Sequence, residues 1–236
     1  MPTAADIVAE LKTLGRESIK KVLLKHGARE PFYGVKVEDL KKIQKRVKRD
    51  HALALALYDT GIADAQYLAG LIADPPQMTR AQLQKWAKTA SWGMVGEYTV
   101  PWVTSESRFG AELARTWIDS KKEDIATSGW STWSSLVSIT PDEELDLDEL
   151  VGLLDRVRKE IHAAPNRVRY VMNGFVIAVG CYVPELTAKA KAVAKAIGPV
   201  EVDMGDTACQ VPAALEYIAK VEKAGRVGKK RATAQC

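Results

Sequence analysis

Cysteine, histidine and long apolar runs are scarce in these 236 residues, and each scarcity removes a class of function. The three cysteines, Cys181, Cys209 and Cys236, lie far apart without C-x-x-C spacing. Neither a zinc site nor a disulfide framework is expected, and the thiols read as free. The three histidines, His26, His51 and His162, are too dispersed to form a ligand set. H-E-x-x-H, G-x-x-x-x-G-K-[ST], a strand-borne G-x-G-x-x-G and the common nucleophile elbows are all missing, so no metal and no cofactor is expected. Apolar runs such as 52–57 and 175–179 fall far short of the roughly 20 residues that span a bilayer, and no signal segment is visible. These absences together read as a cytoplasmic protein with no membrane partner, and a monomer is expected.

What is present is unevenly placed. With 47% hydrophobic residues a sizeable core can be buried. The net charge of +4 hides a segregation: residues 1–50 carry +6, residues 219–236 carry +5, and the middle carries −7. All six tryptophans (Trp86, Trp92, Trp102, Trp117, Trp130 and Trp133) fall within residues 86–133.

Helical periodicity recurs along the chain while alternating β-branched runs are scarce. Thr3 with Asp6 can cap a first helix running to about His26-Gly27. A second helix places Val37, Leu40, Ile43 and Val47 on one face and six basic residues on the rest. Further helices fit 51–59, 64–73, 79–90, 91–104, 106–119, 121–138, 146–163, 166–182, 184–197 and 212–224. Thr79 with Gln82 and Ser120 with Glu123 supply capping boxes, and residues 198–211 read as a structured loop. About ten short helices arriving in pairs point to an all-α, single-domain α-solenoid of antiparallel helix pairs over residues 1–224. The last residues, 225–236, read as a flexible basic tail because Gly225 and Gly228 loosen a run of lysines and arginines.

Few residues offer chemistry. The basic stretch from Lys41 to Arg49 suits phosphates or, equally, a solvated helix face. Tryptophans are ordinarily core fillers, yet one or two half-exposed indoles would stack on bases or sugars. Glu97 stands five residues after Trp92, among Gly96, Tyr98 and Val100, where its charge would be partly enclosed. Asp203 and Asp206 offer two carboxylates for a cation, although turn chemistry explains them as well.

The run Phe32-Tyr33-Gly34-Val35-Lys36-Val37-Glu38-Asp39-Leu40-Lys41-Lys42-Ile43 resembles the opening signature of bacterial DNA alkylation-repair proteins, the AlkD-like alkylpurine DNA glycosylases. Ser91-Trp92 resembles that family's central tryptophan motif, and Asn166-Arg167-Val168-Arg169-Tyr170-Val171-Met172-Asn173-Gly174-Phe175 its late motif. The resemblance spans residues 1 to about 224. It implies a right-handed stack of HEAT-like helix pairs gripping double-stranded DNA, alkylated or branched, on a basic concave face. It also implies metal-free removal of N3- and N7-alkylpurines, in which a carboxylate and tryptophan faces stabilise an oxocarbenium-like sugar.

Carried over, the resemblance makes Glu97 and Trp92 the catalytic candidates and Trp130, Trp133, Phe175 and Asn173 the walls of a substrate site. Lys41, Lys42, Lys45, Arg46, Arg167 and Arg169 become the phosphate contacts. Two departures stand out. Gly96 occupies the place of the family's aspartate, and on a regular helix Glu97 would point about 100° away from it. The helix where active members carry an arginine reads 126–133 with no basic residue. Three readings follow: a glycosylase with a rebuilt site, a non-catalytic binder of DNA or RNA structures on the same scaffold, and a protein-binding solenoid.

Overall fold

The computed structural model of the protein describes residues 2–235, so Cys236 lies outside the described residues. Thirteen α-helices follow one another: α1 (Ala4–Leu14), α2 (Glu17–Lys25), α3 (Val37–Val47), α4 (His51–Asp59), α5 (Ala63–Ile72), α6 (Arg80–Thr89), α7 (Val100–Ser105), α8 (Gly110–Trp117), α9 (Glu123–Ile139), α10 (Leu147–Glu160), α11 (Asn166–Tyr182), α12 (Thr187–Ile197) and α13 (Ala214–Lys223). No strand occurs among the described residues.

A side chain caps the N-terminus of α1, α4, α6 and α10. Capping boxes form at Thr3 with Asp6 and at Thr79 with Gln82. The single N-terminal helix expected up to His26 is two helices. Gly15 breaks it because the chain there passes so close to Tyr33 that a Cβ on residue 15 would sit 2.7 Å from the Tyr33 carbonyl oxygen. The capping box expected at Ser120 does not form either. Its Oγ accepts from the Lys122 N–H at 3.1 Å, and α9 begins at Glu123 without a side-chain cap.

Each of α3, α5, α7, α9, α11 packs against the next odd-numbered helix, making one layer. In the other layer α4, α6, α8, α10 and α12 each pack on the odd-numbered helix that follows in sequence. This is a HEAT-like solenoid, the all-α architecture expected. Its core lies between the layers in two apolar stretches that meet at α8, where Leu113 and Trp117 face one stretch and Ala114 faces the other.

The basic tail is not a free arm. Residues 226–235 run along the C-terminal ends of the odd-numbered helices and serve carbonyls that helix ends leave unsatisfied. Gly228 N–H donates to Cys181 O at the end of α11 (2.9 Å), and Arg231 N–H and Lys230 Nζ donate to Ser138 O and Val137 O at the end of α9 (2.8 and 2.9 Å). Ala234 N–H then donates to Glu106 beyond α7 (2.7 Å), and Gln235 Nε2 to Gly70 O in α5 (2.9 Å). Ala234 itself is buried. Lysine and arginine beside the negative ends of helices supply favourable charge where glycine content had suggested disorder.

Candidate functional site

Between Trp92 and α7 the chain winds as a π-helix over Val95–Thr99, in which the Val100 N–H donates to the carbonyl of Val95 five residues back. A π-turn holds one residue more than an α-turn. The wide turn begins beyond Trp92, whose carbonyl accepts from the Gly96 N–H at 3.1 Å as in an ordinary α-turn. Glu97 and Trp92 line the same cleft, and Gly96 lines it with them. Two neighbours hold the turn in place. Ser128 Oγ donates to the Gly96 carbonyl at 2.8 Å. On the other side α5 approaches so closely at Gly70 that a Cβ there would collide with the Thr99 side chain.

Glu97 is 6% exposed. Both of its oxygens are taken by Arg167, which donates from Nε to Oε1 at 2.7 Å and from Nη2 to Oε2 at 2.6 Å. Burial raises the Glu97 carboxyl above its ordinary pKa, and the Arg167 hydrogen bonds and charge pull the other way. Burial lowers the Arg167 pKa, but the Glu97 bonds and charge outweigh it and the net shift is upward. The guanidinium also lies 4.4 Å from the ring centroid of Tyr170 and 3.5 Å from Met204 Sδ.

The cleft holds about 620 Å³ and joins distant parts of the chain: the end of α2, the π-turn, the start of α9, the start of α11 and the 198–211 loop. That loop closes one side. Asn166 Oδ1 accepts from the Asp203 N–H at 2.7 Å, and Lys25 pairs with Asp206 at 2.9 Å. Asp203 Oδ1 accepts from the Gly205 N–H at 2.8 Å, which is the turn chemistry, and no group of three or more metal-ligating side chains occurs among the described residues.

The other candidates disperse. Trp92 is half-buried at the cleft and packs beside Phe32 and Ala63. Trp130 and Phe175 lie in the core, 1% and 0% exposed, with ring centroids 5.3 Å apart; Trp133 is buried there too. They wall no substrate site because α9 and α11 pack face to face and consume these rings. Asn173 is buried too, its amide donating to the Pro212 carbonyl at 2.9 Å, but it lines a second pocket that shares Glu97, Tyr98 and Tyr170 with the cleft.

Among the phosphate candidates, Arg167 is spent on Glu97, Arg46 forks onto Glu10 (3.1 and 2.5 Å), and Lys42 pairs with Asp39 at 2.7 Å. Lys41 is half-buried, Lys45 is exposed, and Arg169 is half-buried with its Nε lacking a hydrogen-bond partner among the described residues. Sequence reasoning did not pair Arg167 with Glu97, nor did it mark Tyr98 and Tyr170, which line the cleft. The nearest available signal was an enclosed carboxylate in need of a counter-ion, with an arginine-rich motif at the start of another helix.

Residues 7–196 match the DNA alkylation repair enzyme family. An uncharacterised protein of Listeria monocytogenes is 34% identical over 226 residues, and one of Listeria innocua is 33% identical over the same length. Each alignment covers 93% of this chain and 97% of the relative. A solved structure described as a new family of proteins related to the HEAT-like repeat DNA glycosylases, with affinity for branched DNA structures, superposes with a TM-score of 0.91. It shares 34% identity, and the match covers 100% of both chains.

Proposed function

This chain belongs to the DNA alkylation repair enzyme family, and from that premise we propose that it binds branched DNA as a monomer without excising bases. One observation carries the second half: Glu97, the candidate carboxylate that lines the cleft together with Trp92, has both oxygens committed to Arg167. Removing an N3- or N7-alkylpurine asks for a carboxylate free to face the developing sugar cation. Presenting Glu97 to a sugar would first break two charge-assisted hydrogen bonds, at roughly 1.5–3 kcal/mol each. The core positions of Trp130, Trp133 and Phe175 take three of the expected aromatics away from the cleft, where Trp92 stands with Tyr98 and Tyr170.

The binding half is supported by Arg29 at the cleft and by the exposed Lys45. It also draws on the affinity for branched DNA stated for the solved relative. The test pairs two assays on the purified full chain. Affinity for a four-way junction and for a linear duplex is measured between about 50 and 200 mM salt. Base release is followed on duplex containing N7-methylguanine. Junction binding that falls linearly on a log-log salt plot, is unchanged in Glu97→Gln and comes without base release is the expected result. Release above background would overturn the non-excising half in favour of alkylpurine removal, and absent or salt-independent binding would overturn the DNA half.

A further inference from the structure

Beyond Tyr98 and Tyr170 the cleft opens into a second pocket of about 360 Å³. One wall is α9, where Ser131, Ser134, Ser135 and Ser138 follow at helical spacing and share a face. Ser134 and Ser138 turn their hydroxyls back onto the carbonyls of Trp130 and Ser135 (3.1 and 2.7 Å), whereas Ser131 and Ser135 make no such bond among the described residues. The mouth carries two tyrosines from different parts of the chain, Tyr98 on the π-turn at 39% exposure and Tyr217 on α13 at 49%. They are two of five large apolar side chains left so exposed among the described residues. The docked tail adds a cation. Arg231 lines the pocket, fixed by its N–H on Ser138 O (2.8 Å) and by Nη2 on Gln235 O (2.6 Å).

We infer that this pocket receives a single unpaired nucleotide of DNA, its base on the exposed rings of Tyr98 and Tyr217 and its phosphate against Arg231 and the serine hydroxyls. Tyrosine faces suit any base, because every base offers a π-face, so a site of this kind tolerates sequence. A planar guanidinium and hydroxyl donors suit phosphate oxygens. The volume lies near the low end of the roughly 300–1,000 Å³ range of small-ligand sites, room for an unstacked nucleotide but not for a duplex. The acidic side chain in the lining is Glu97, and Arg167 already neutralises it. The inference rests on the branched-DNA reading above in one respect: a branch point is where duplex DNA presents unstacked nucleotides. It names where on the protein such a nucleotide goes.

The test uses the full chain with three probes: a short oligothymidine, a fully paired four-way junction, and the same junction with unpaired thymidines at its centre. Wild type is expected to bind the oligothymidine and to hold the unpaired junction about tenfold more tightly than the paired one. Tyr98→Leu combined with Tyr217→Ala is expected to weaken oligothymidine binding about tenfold and to bring the two junctions to equal affinity. Tyr217→Phe, which keeps the ring, is expected to behave as wild type, and Tyr217→Ala alone, at an exposed helix position, guards against a folding defect in the double variant. Oligothymidine binding that is absent, or unchanged by losing both rings, would overturn the pocket while leaving paired-junction binding intact. Oligothymidine binding that depends on the rings, without affinity for either junction, would support the pocket and overturn the branched-DNA reading alone.

Discussion

Arg167 at the start of α11 and Glu97 on the π-turn, 70 residues apart in the chain, meet in a bidentate ion pair that ties the middle of the solenoid to its C-terminal half. The Glu97 side chain is 4% exposed and that of Arg167 31%, so the two ends of the pair tolerate loss unequally. Arg167→Ala strands a buried charge and is expected to cost about 3 kcal/mol in urea unfolding. Glu97→Gln leaves an arginine that can reach water and is expected to cost less. In a double-mutant cycle with Arg167→Met the combined loss should fall short of the sum by about 1 kcal/mol or more. Additive losses would mean that the pair contributes nothing beyond its parts.

The same pair makes stability depend on pH. Burial raises the folded-state pKa of Glu97 above its unfolded value. A group shifted in that direction contributes stability that is fully present below the unfolded pKa and is lost as pH rises through the folded one. Wild type melted beside Glu97→Gln between about pH 4 and pH 8 should therefore lose ground to the variant as pH increases, levelling once Glu97 is ionised. The opposite slope would show that the Arg167 bonds outweigh burial.

Phe175 and Trp92 separate core from cleft. Phe175→Ala removes a fully buried ring packed on Trp130 and is expected to cost about 3–5 kcal/mol, with junction affinity of the folded fraction unchanged. Trp92→Ala, at a half-buried position, should cost less stability and weaken junction binding. Thermal melts and anisotropy titrations on the same samples distinguish the two patterns.

The docked tail predicts a third behaviour. Ending the chain after Ala224 deletes six hydrogen bonds to the ends of α5, α7, α9 and α11. At about 1 kcal/mol each, and offset by the entropy of ordering the segment, the net loss is about 2 kcal/mol. For a chain of this size that lowers the melting temperature by roughly 4–8 °C. A melt that does not move would mean that the segment contributes no net stability.

The sequence made local features readable and tertiary ones obscure. Thr3 and Thr79 announced their helices because a cap is a contact within four residues, and five of the six tryptophans are buried, as their size led one to expect. The Gly15 break was hidden because its cause, Tyr33, lies on another segment. The docking of the tail is hidden for a related reason. Gly228 looked like a loosening residue, yet at φ +77° it turns its N–H onto Cys181 O, a partner set by the packing of α11. Arg167 was legible as a phosphate ligand by its type, and only the fold shows that its charge is already used. Nothing in the composition of Val95–Thr99 distinguishes five residues per hydrogen-bonded turn from four.

That wider turn has a consequence for insertions and deletions. Removing one residue from the interior of a helix rotates everything beyond it by about 100° and so misplaces a whole buried face. At the π-turn the surplus residue is already stored, so deleting Gly96 would let the segment relax to ordinary winding with α7 still in register against α5 and α9. The chain thus keeps a place within its helical layers where its length can change by a single residue and the layers beyond need not move.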